Sequence, residues 1–192
     1  AAENERLVTL ASYSVSELSG DEELARLARF AAHLCDTPSA AVSLVEAERQ
    51  VFLASEGVAV TETPRSTSFC SHTMLSGETL IVPDATKDAR FAEFALVTGE
   101  EHVRFYAGAP LISSEGASLG ALCVFDVVAR PEGLTPVQRE GLSVLADAVK
   151  RRLLAHRQAI EVSAAIRQSA DRLQFMVDSV PDIAWSAGPY AA

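Results

Sequence analysis

The chain has 192 residues, 48% of them apolar and 22% charged, with a formal net charge of −10. That length suits one domain of ordinary size with additional helix, and the apolar fraction excludes a disordered chain. The acid excess repels phosphate backbones and anionic lipid, so neither nucleic acid nor direct membrane contact is expected.

No apolar run approaches the roughly 18 residues of a membrane-spanning helix, and no signal peptide pattern opens the chain. The three cysteines, Cys35, Cys70 and Cys123, are odd in number and lack CxxC spacing. This fits reduced thiols and a cytoplasmic location rather than a disulfide framework. The ends, Ala1-Ala2-Glu3 and Tyr190-Ala191-Ala192, read as cut points in a longer protein.

In chain order, residues 4–15 carry Leu7, Leu10 and Ala11 at helical spacing. Ser19-Gly20-Asp21-Glu22 reads as a capping box, with Ser19 as N-cap and Glu22 at N3. The amphipathic run 20–35 follows, with Leu24, Leu27, Ala28, Ala31 and Leu34 on one face. Residues 40–45 and 50–55 read as a hairpin around Glu46-Ala47-Glu48-Arg49, and 56–65 as a loop. Ser66 or Thr67 is positioned to cap a short helix. A strand is expected at 79–82, a short helix at 88–94, and longer strands at 102–111 and 119–128 around the turn Ser114-Glu115-Gly116. These strands predict a mostly antiparallel sheet with a buried centre.

The last helix opens at Thr135-Pro136-Val137-Gln138, with Thr135 as N-cap, Pro136 at N1 and Gln138 completing a capping box. From 136 to 179 no further proline occurs, and only Gly141 interrupts the helical pattern. A heptad frame runs through Leu142, Leu145, Val149, Arg152, His156, Ala159, Ser163, Ile166, Ala170, Leu173 and Val177. It is apolar at both ends and polar in the middle, which reads as a weak parallel coiled coil between two subunits, against a solitary solvated helix. Candidate dimer-helix residues are Leu142, Leu145, Val149, Arg152, His156, Ile166 and Leu173.

Local motifs sharpen the assignment. Thr63-Pro64-Arg65, Ser68-Phe69-Cys70-Ser71-His72, Val82-Pro83-Asp84-Ala85, Asp88-Ala89-Arg90-Phe91, Arg104 to Leu111 and Leu119 to Val124 occur in one ordered series. Together they resemble the GAF domains of bacterial sensor proteins over about residues 5–155. Residues 169–188 look like the entry to a PAS domain of the kind found in sensor histidine kinases. The resemblance implies an α+β fold with a six-stranded antiparallel sheet, terminal helices on one face and a pocket under residues 56–103. It implies three segments: a sensory domain at 1–155, a connector helix at 156–179, and a PAS start or tail at 180–192. It also implies a homodimer through terminal helices, adjacent PAS and output domains, and a parent of histidine kinase type.

The chemistry of the ligand stays open, because this fold serves many ligands and sometimes none. The pocket candidates are Phe69, Cys70, His72, Phe91, Phe94, Arg104, Phe105 and Tyr106. Phytochrome-like relatives attach bilin at a cysteine followed directly by histidine, whereas here Ser71 intervenes. Haem would call on His72 or His102, and the cyclic-nucleotide signature of the family is missing. Cys70 and Cys123 facing one cavity would suit a redox enzyme like the free methionine sulfoxide reductases, but that family's cysteine spacing is not evident. No nucleophile–base series, phosphate loop or metal-ligand spacing stands out, so no catalytic residue, metal or cofactor is assigned. The expectation is a non-enzymatic module that senses an unidentified small molecule or serves as a dimeric relay, against a purely structural dimerisation module.

Overall fold

The structure, a computed structural model, describes residues 2–179. The expected PAS entry beyond 179 lies outside the described residues. The chain divides into two units, the first ending at Arg157 and the second starting at Gln158.

The first unit is built on a six-stranded antiparallel sheet in the order β3-β2-β1-β6-β5-β4. The strands are β1 Ser39–Val45, β2 Arg49–Glu56, β3 Glu62–Pro64, β4 Leu80–Val82, β5 Phe105–Ile112 and β6 Ser118–Asp126. β1, β6 and β5 lie at the centre, and their residues are buried on both faces, which explains their near-continuous apolar sequence. Alternate residues serve opposite faces. Val42, Leu44, Phe105, Ala107, Leu122 and Val124 join one core. Ala41, Val45, Tyr106, Ala121 and Cys123 join the other.

The first core is closed by α1 Ala2–Ala11, α2 Glu22–Cys35 and the proximal part of α5 Pro136–Asp178. The α2 N-cap is Asp21, whose carboxylate accepts from Leu24 N at 3.0 Å, and not Ser19. Ser19 instead ends a 3-10 turn over Val15–Leu18, and Gly20 at φ +79° turns the chain into Asp21. The first helix likewise ends at Ala11 rather than 15, because Ser14 adopts a left-handed conformation. At α5 the expected capping box forms: Gln138 N donates to Thr135 Oγ1 at 3.2 Å, and Thr135 N to Gln138 Oε1 at 3.0 Å. Gly141 is a packing feature, since a Cβ there would lie 2.5 Å from Leu34 Cδ2 of α2.

The second core is covered by α3 Phe69–Ser76, α4 Ala95–Thr98 and the intervening turns. Ser68, one residue beyond the two expected caps, accepts from Ser71 N at 3.1 Å and starts α3. β3 falls in the segment expected to be loop. It is a three-residue edge strand, where Pro64 costs no ladder hydrogen bond. The helix expected at 88–94 is replaced by turns. Asp88 accepts from Arg90 N at 3.0 Å, a side-chain bond that competes with helix, and the helical turn begins at Ala95.

The frame residues of α5 separate into two groups. Leu142, Leu145 and Val149 are buried in the first core and therefore serve their own domain rather than an intersubunit seam. Arg152 pairs with Asp21 and Glu23, and half-buried His156 lies 3.9 Å from the Glu17 carboxylate. In the second unit, Ile166 and Leu173 are 65% and 57% exposed.

Candidate functional site

The site forms where α3 lies over β5, β6 and β1. Ser68 caps α3 and also donates to Gln50 Oε1 from β2, which ties the start of the helix to the sheet. Phe69 then sits at the centre of an aromatic cluster. Its ring stacks on Phe91 at 4.6 Å and on Tyr106 at 4.9 Å between centroids, with Phe94 edge-on at 5.6 Å. Each such pair contributes about 0.5–1.5 kcal/mol beyond area burial. The cluster fixes α3 against the sheet and gives the cavity a rigid wall.

Under α3 a mainly apolar cavity of about 70 Å³ opens between sheet and covering loops. Its walls include Phe52, Val58, Phe69, Val103, Tyr106 and Phe125, with Cys70 and Cys123 facing it together. Polar groups converge on Cys70. Tyr106 Oη donates to Cys70 Sγ at 3.3 Å, Gln50 Nε2 approaches it at 3.5 Å, and Cys123 Sγ lies 3.6 Å away. Tyr106 Oη also shares a 2.8 Å hydrogen bond with Thr73 Oγ1. Thr63 also lines the cavity, and its hydroxyl is buried without a hydrogen-bond partner.

These contacts set the thiols apart. The adjacent Cys123 thiol, helped by Ser43, Tyr106 and Gln50, holds the Cys70 thiol below the usual range against the opposing effect of burial. Cys123 is pushed well up by Cys70 and by burial. Burial, then the two sulfurs, raises the Tyr106 phenol. Cys35, on the other face of the sheet, is pushed by burial up to about 11.

Of the sequence candidates, Phe69, Cys70 and Tyr106 line the cavity. Phe91 and Phe94 pack against Phe69, and His72 against Phe91 and Phe94, without lining the cavity; His72 Nδ1 lies 3.3 Å from the Ser68 carbonyl. Phe105 belongs to the opposite core, under the Arg130 guanidinium, because neighbours in a strand face opposite ways. Arg104 does not line the cavity. It donates to the carbonyls of Val97 at 2.8 Å and Val103 at 3.1 Å. Gln50, Thr63, Val103 and Phe125 were missed. Gln50 and Thr63 pair across β2 and β3, and the unrecognised third strand is what brings them to the cavity. Asp84 and Asp88 hold turns, through Thr86 N and Arg90 N. Among the described residues no group of three His, Cys, Asp or Glu is placed to hold a metal ion.

The GAF domain family model matches residues 19–153. The chain belongs to the GAF family. Its α+β architecture, with six antiparallel strands and the long α5, is that of a signalling and sensory GAF domain. A cyclic di-GMP phosphodiesterase of Pseudomonas aeruginosa is 40% identical over 124 residues, covering 65% of this chain and 21% of that protein. This chain therefore spans about a fifth of that relative's length.

Solved structures repeat the fold. Free methionine-R-sulfoxide reductase from Neisseria meningitidis, in complex with its substrate, aligns with a TM-score of 0.57 and 21% identity over 79% of this chain and 93% of that one. The GAF domain of an Acinetobacter phosphoenolpyruvate-protein phosphotransferase aligns at 0.57 and 15% over 84% and 98%. The chromophore-binding domain of a bacteriophytochrome from R. palustris aligns at 0.53 and 11% over 83% and 64%. At these identities the likeness concerns the fold alone. No helix among the described residues is long and apolar enough to cross a membrane.

Proposed function

We propose that this GAF domain is the cytoplasmic, non-catalytic sensor of a multidomain bacterial signalling protein. It takes a small, mainly apolar molecule with one hydrogen-bonding group into the cavity beneath α3. The observation that carries this reading is the cavity of about 70 Å³, apolar-walled, with the unpartnered hydroxyl of Thr63 in its lining. Apolar walls with few polar groups are the usual character of a ligand site. The volume suits an occupant of only a few non-hydrogen atoms unless α3 or the covering loops move.

A thermal-shift screen of small apolar compounds tests the proposal, because a ligand that binds the native state raises the melting temperature. Val60 lines the cavity yet is 41% exposed, so Val60→Trp closes the mouth with little effect on the core. Hits should stabilise the wild type and lose that effect in Val60→Trp. Absence of hits, or equal stabilisation of both proteins, would overturn the reading.

The relay rests on α5, which begins in the sensory core and continues to Asp178. We take exposed Ile166 and Leu173 as the seam against a second copy. Ligand can move that seam only by its differential affinity for two helix arrangements. Spin labels at 166 and 173 should show intersubunit distances that change with ligand; identical distances in both states would sink the relay. For the output, the resemblance of 169–188 to a PAS entry favours a histidine kinase parent. The Pseudomonas relative supports instead an output that hydrolyses cyclic di-GMP.

A further inference from the structure

Two of the three cysteines lie together, and the sensor reading does not use their chemistry. Cys70 of α3 and Cys123 of β6 come from 53 residues apart in sequence, yet their sulfurs are 3.6 Å apart and both face the cavity. Their surroundings differ. Cys70 Sγ accepts from Tyr106 Oη at 3.3 Å and from Gln50 Nε2 at 3.5 Å, donors that favour its thiolate. Cys123 Sγ lies 3.6 Å from the Ala41 carbonyl oxygen, and its thiol is pushed well up by Cys70 and by burial. One sulfur is thus prepared to attack and the other to follow, the asymmetry required of an attacking and a resolving cysteine.

We infer that Cys70 and Cys123 are a two-electron redox site, in which a hydroperoxide small enough to enter the cavity converts the dithiol to a Cys70–Cys123 disulfide. The Cys70 thiolate attacks the terminal peroxide oxygen. The O–O bond breaks, and the departing oxygen leaves as water or alcohol with the proton lost by Cys70. Cys70 is then a sulfenic acid. The Cys123 sulfur attacks Cys70 Sγ, the S–O bond breaks, and water leaves with the Cys123 proton. The two sulfurs have together lost two electrons, the peroxide has gained them, and a small dithiol restores both thiols by exchange.

Closing 3.6 Å to a bond of about 2.05 Å requires a local adjustment, because Cys70 rides on an eight-residue helix while Cys123 is fixed in the central sheet. The disulfide ties α3 to β6 and draws the cavity's cover onto its floor. This inference goes beyond the sensor reading and needs no ligand. Cys35 is an internal control: it is fully buried on the opposite face of the sheet, with its thiol pushed up to about 11 by burial.

The test treats the reduced full chain with a few equivalents of hydrogen peroxide and follows it by intact mass and non-reducing peptide mapping. The expected product has lost two hydrogens, joins the Cys70 peptide to the Cys123 peptide, melts higher and returns with dithiothreitol. Cys35→Ala should leave its yield unchanged. Cys123→Ser and Cys123→Ala should each stop at a Cys70 sulfenic acid that dimedone traps; using both guards against a folding defect in either. Cys70 should oxidise at least tenfold faster than Cys35. Equal rates at Cys70 and Cys35, sulfinic acid at Cys70 of the wild type without a disulfide, or no reaction at a hundredfold excess of peroxide would each overturn the inference.

Discussion

Replacing Gly108 by alanine probes how the site is assembled. Gly108 lies on β5 two residues beyond Tyr106, on the same face, and the tyrosine side chain runs back across it. A Cβ at 108 would sit 2.2 Å from Tyr106 Oη, 2.8 Å from Tyr106 Cζ and 2.8 Å from Thr73 Oγ1. Tyr106 cannot yield freely, because it is buried, stacked on Phe69 and bonded to Thr73 and Cys70. Overpacking a core costs about 1–3 kcal/mol; if the ring swings away instead, the unsatisfied buried hydroxyl costs about 1–3 kcal/mol. The lower unfolded-state entropy of alanine returns about 0.4–1 kcal/mol. The two penalties are alternatives rather than a sum, so the expected net loss is about 1.3 kcal/mol. At about 2–4 °C per kcal/mol for a protein of this size, the melting temperature should fall by about 3–5 °C. Tyr106→Phe removes the nearest clashing atom and should cost about 1 kcal/mol alone. In urea denaturation the double variant should therefore cost at least about 1 kcal/mol less than the sum of the singles. A loss below about 0.5 kcal/mol for Gly108→Ala, or strict additivity, would refute this account.

Two further outcomes follow from the packing around the site. Arg130 joins the end of α2 to β6: it donates to the Cys35 carbonyl at 2.8 Å and to the Asp36 carbonyl, and pairs with Asp126 at 2.7 Å. Arg130→Ala leaves the mostly buried Asp126 without its cation and should lower stability by about 2–3 kcal/mol. Arg130→Lys should not restore it, because an ammonium lacks the planar fork; a urea midpoint unchanged in either variant would contradict this. Acid provides the other test. Bonding to Arg6 first, and also to Arg65, lowers the Glu3 carboxyl from 4.5 to about 2. A lowered folded-state value gives stability that is present above pH 4.5 and lost as pH falls towards 2. Because the Glu3 side chain is 48% exposed, solvent screening limits the effect to about 1 kcal/mol or less. Glu3→Gln should flatten the stability profile across that window; a steeper or unchanged acid slope would count against the pairing.

Much of this architecture was written locally. The α5 capping box follows from Thr135, Pro136 and Gln138 acting within one turn. The central strands follow from their unbroken apolar runs, since a sheet covered on both faces needs no polar alternation. Where several local partners competed, the sequence was ambiguous. Asp21 and Ser19 both suit an N-cap, and the conformation of Gly20 and the preceding 3-10 turn decided for Asp21. β3 carries no periodic signal, because three residues stabilised by pairing with β2 need none.

The sequence by itself determined the period of the longer helices and central strands, the helix starts with a unique cap, and the alternation that sends Phe105 and Tyr106 to opposite faces. It left undecided which face carries the cavity, because alternation has no sign until the helices dock. Only the tertiary structure decided that Tyr106, Gln50 and Cys123 converge on Cys70, from four separate elements. The same holds for α5, whose heptad spacing runs unbroken from Leu142 to Val177. Leu142 and Val149 contact their own core while Ile166 and Leu173 stay exposed, because burial depends on what a side chain meets and spacing records only which residues share a face.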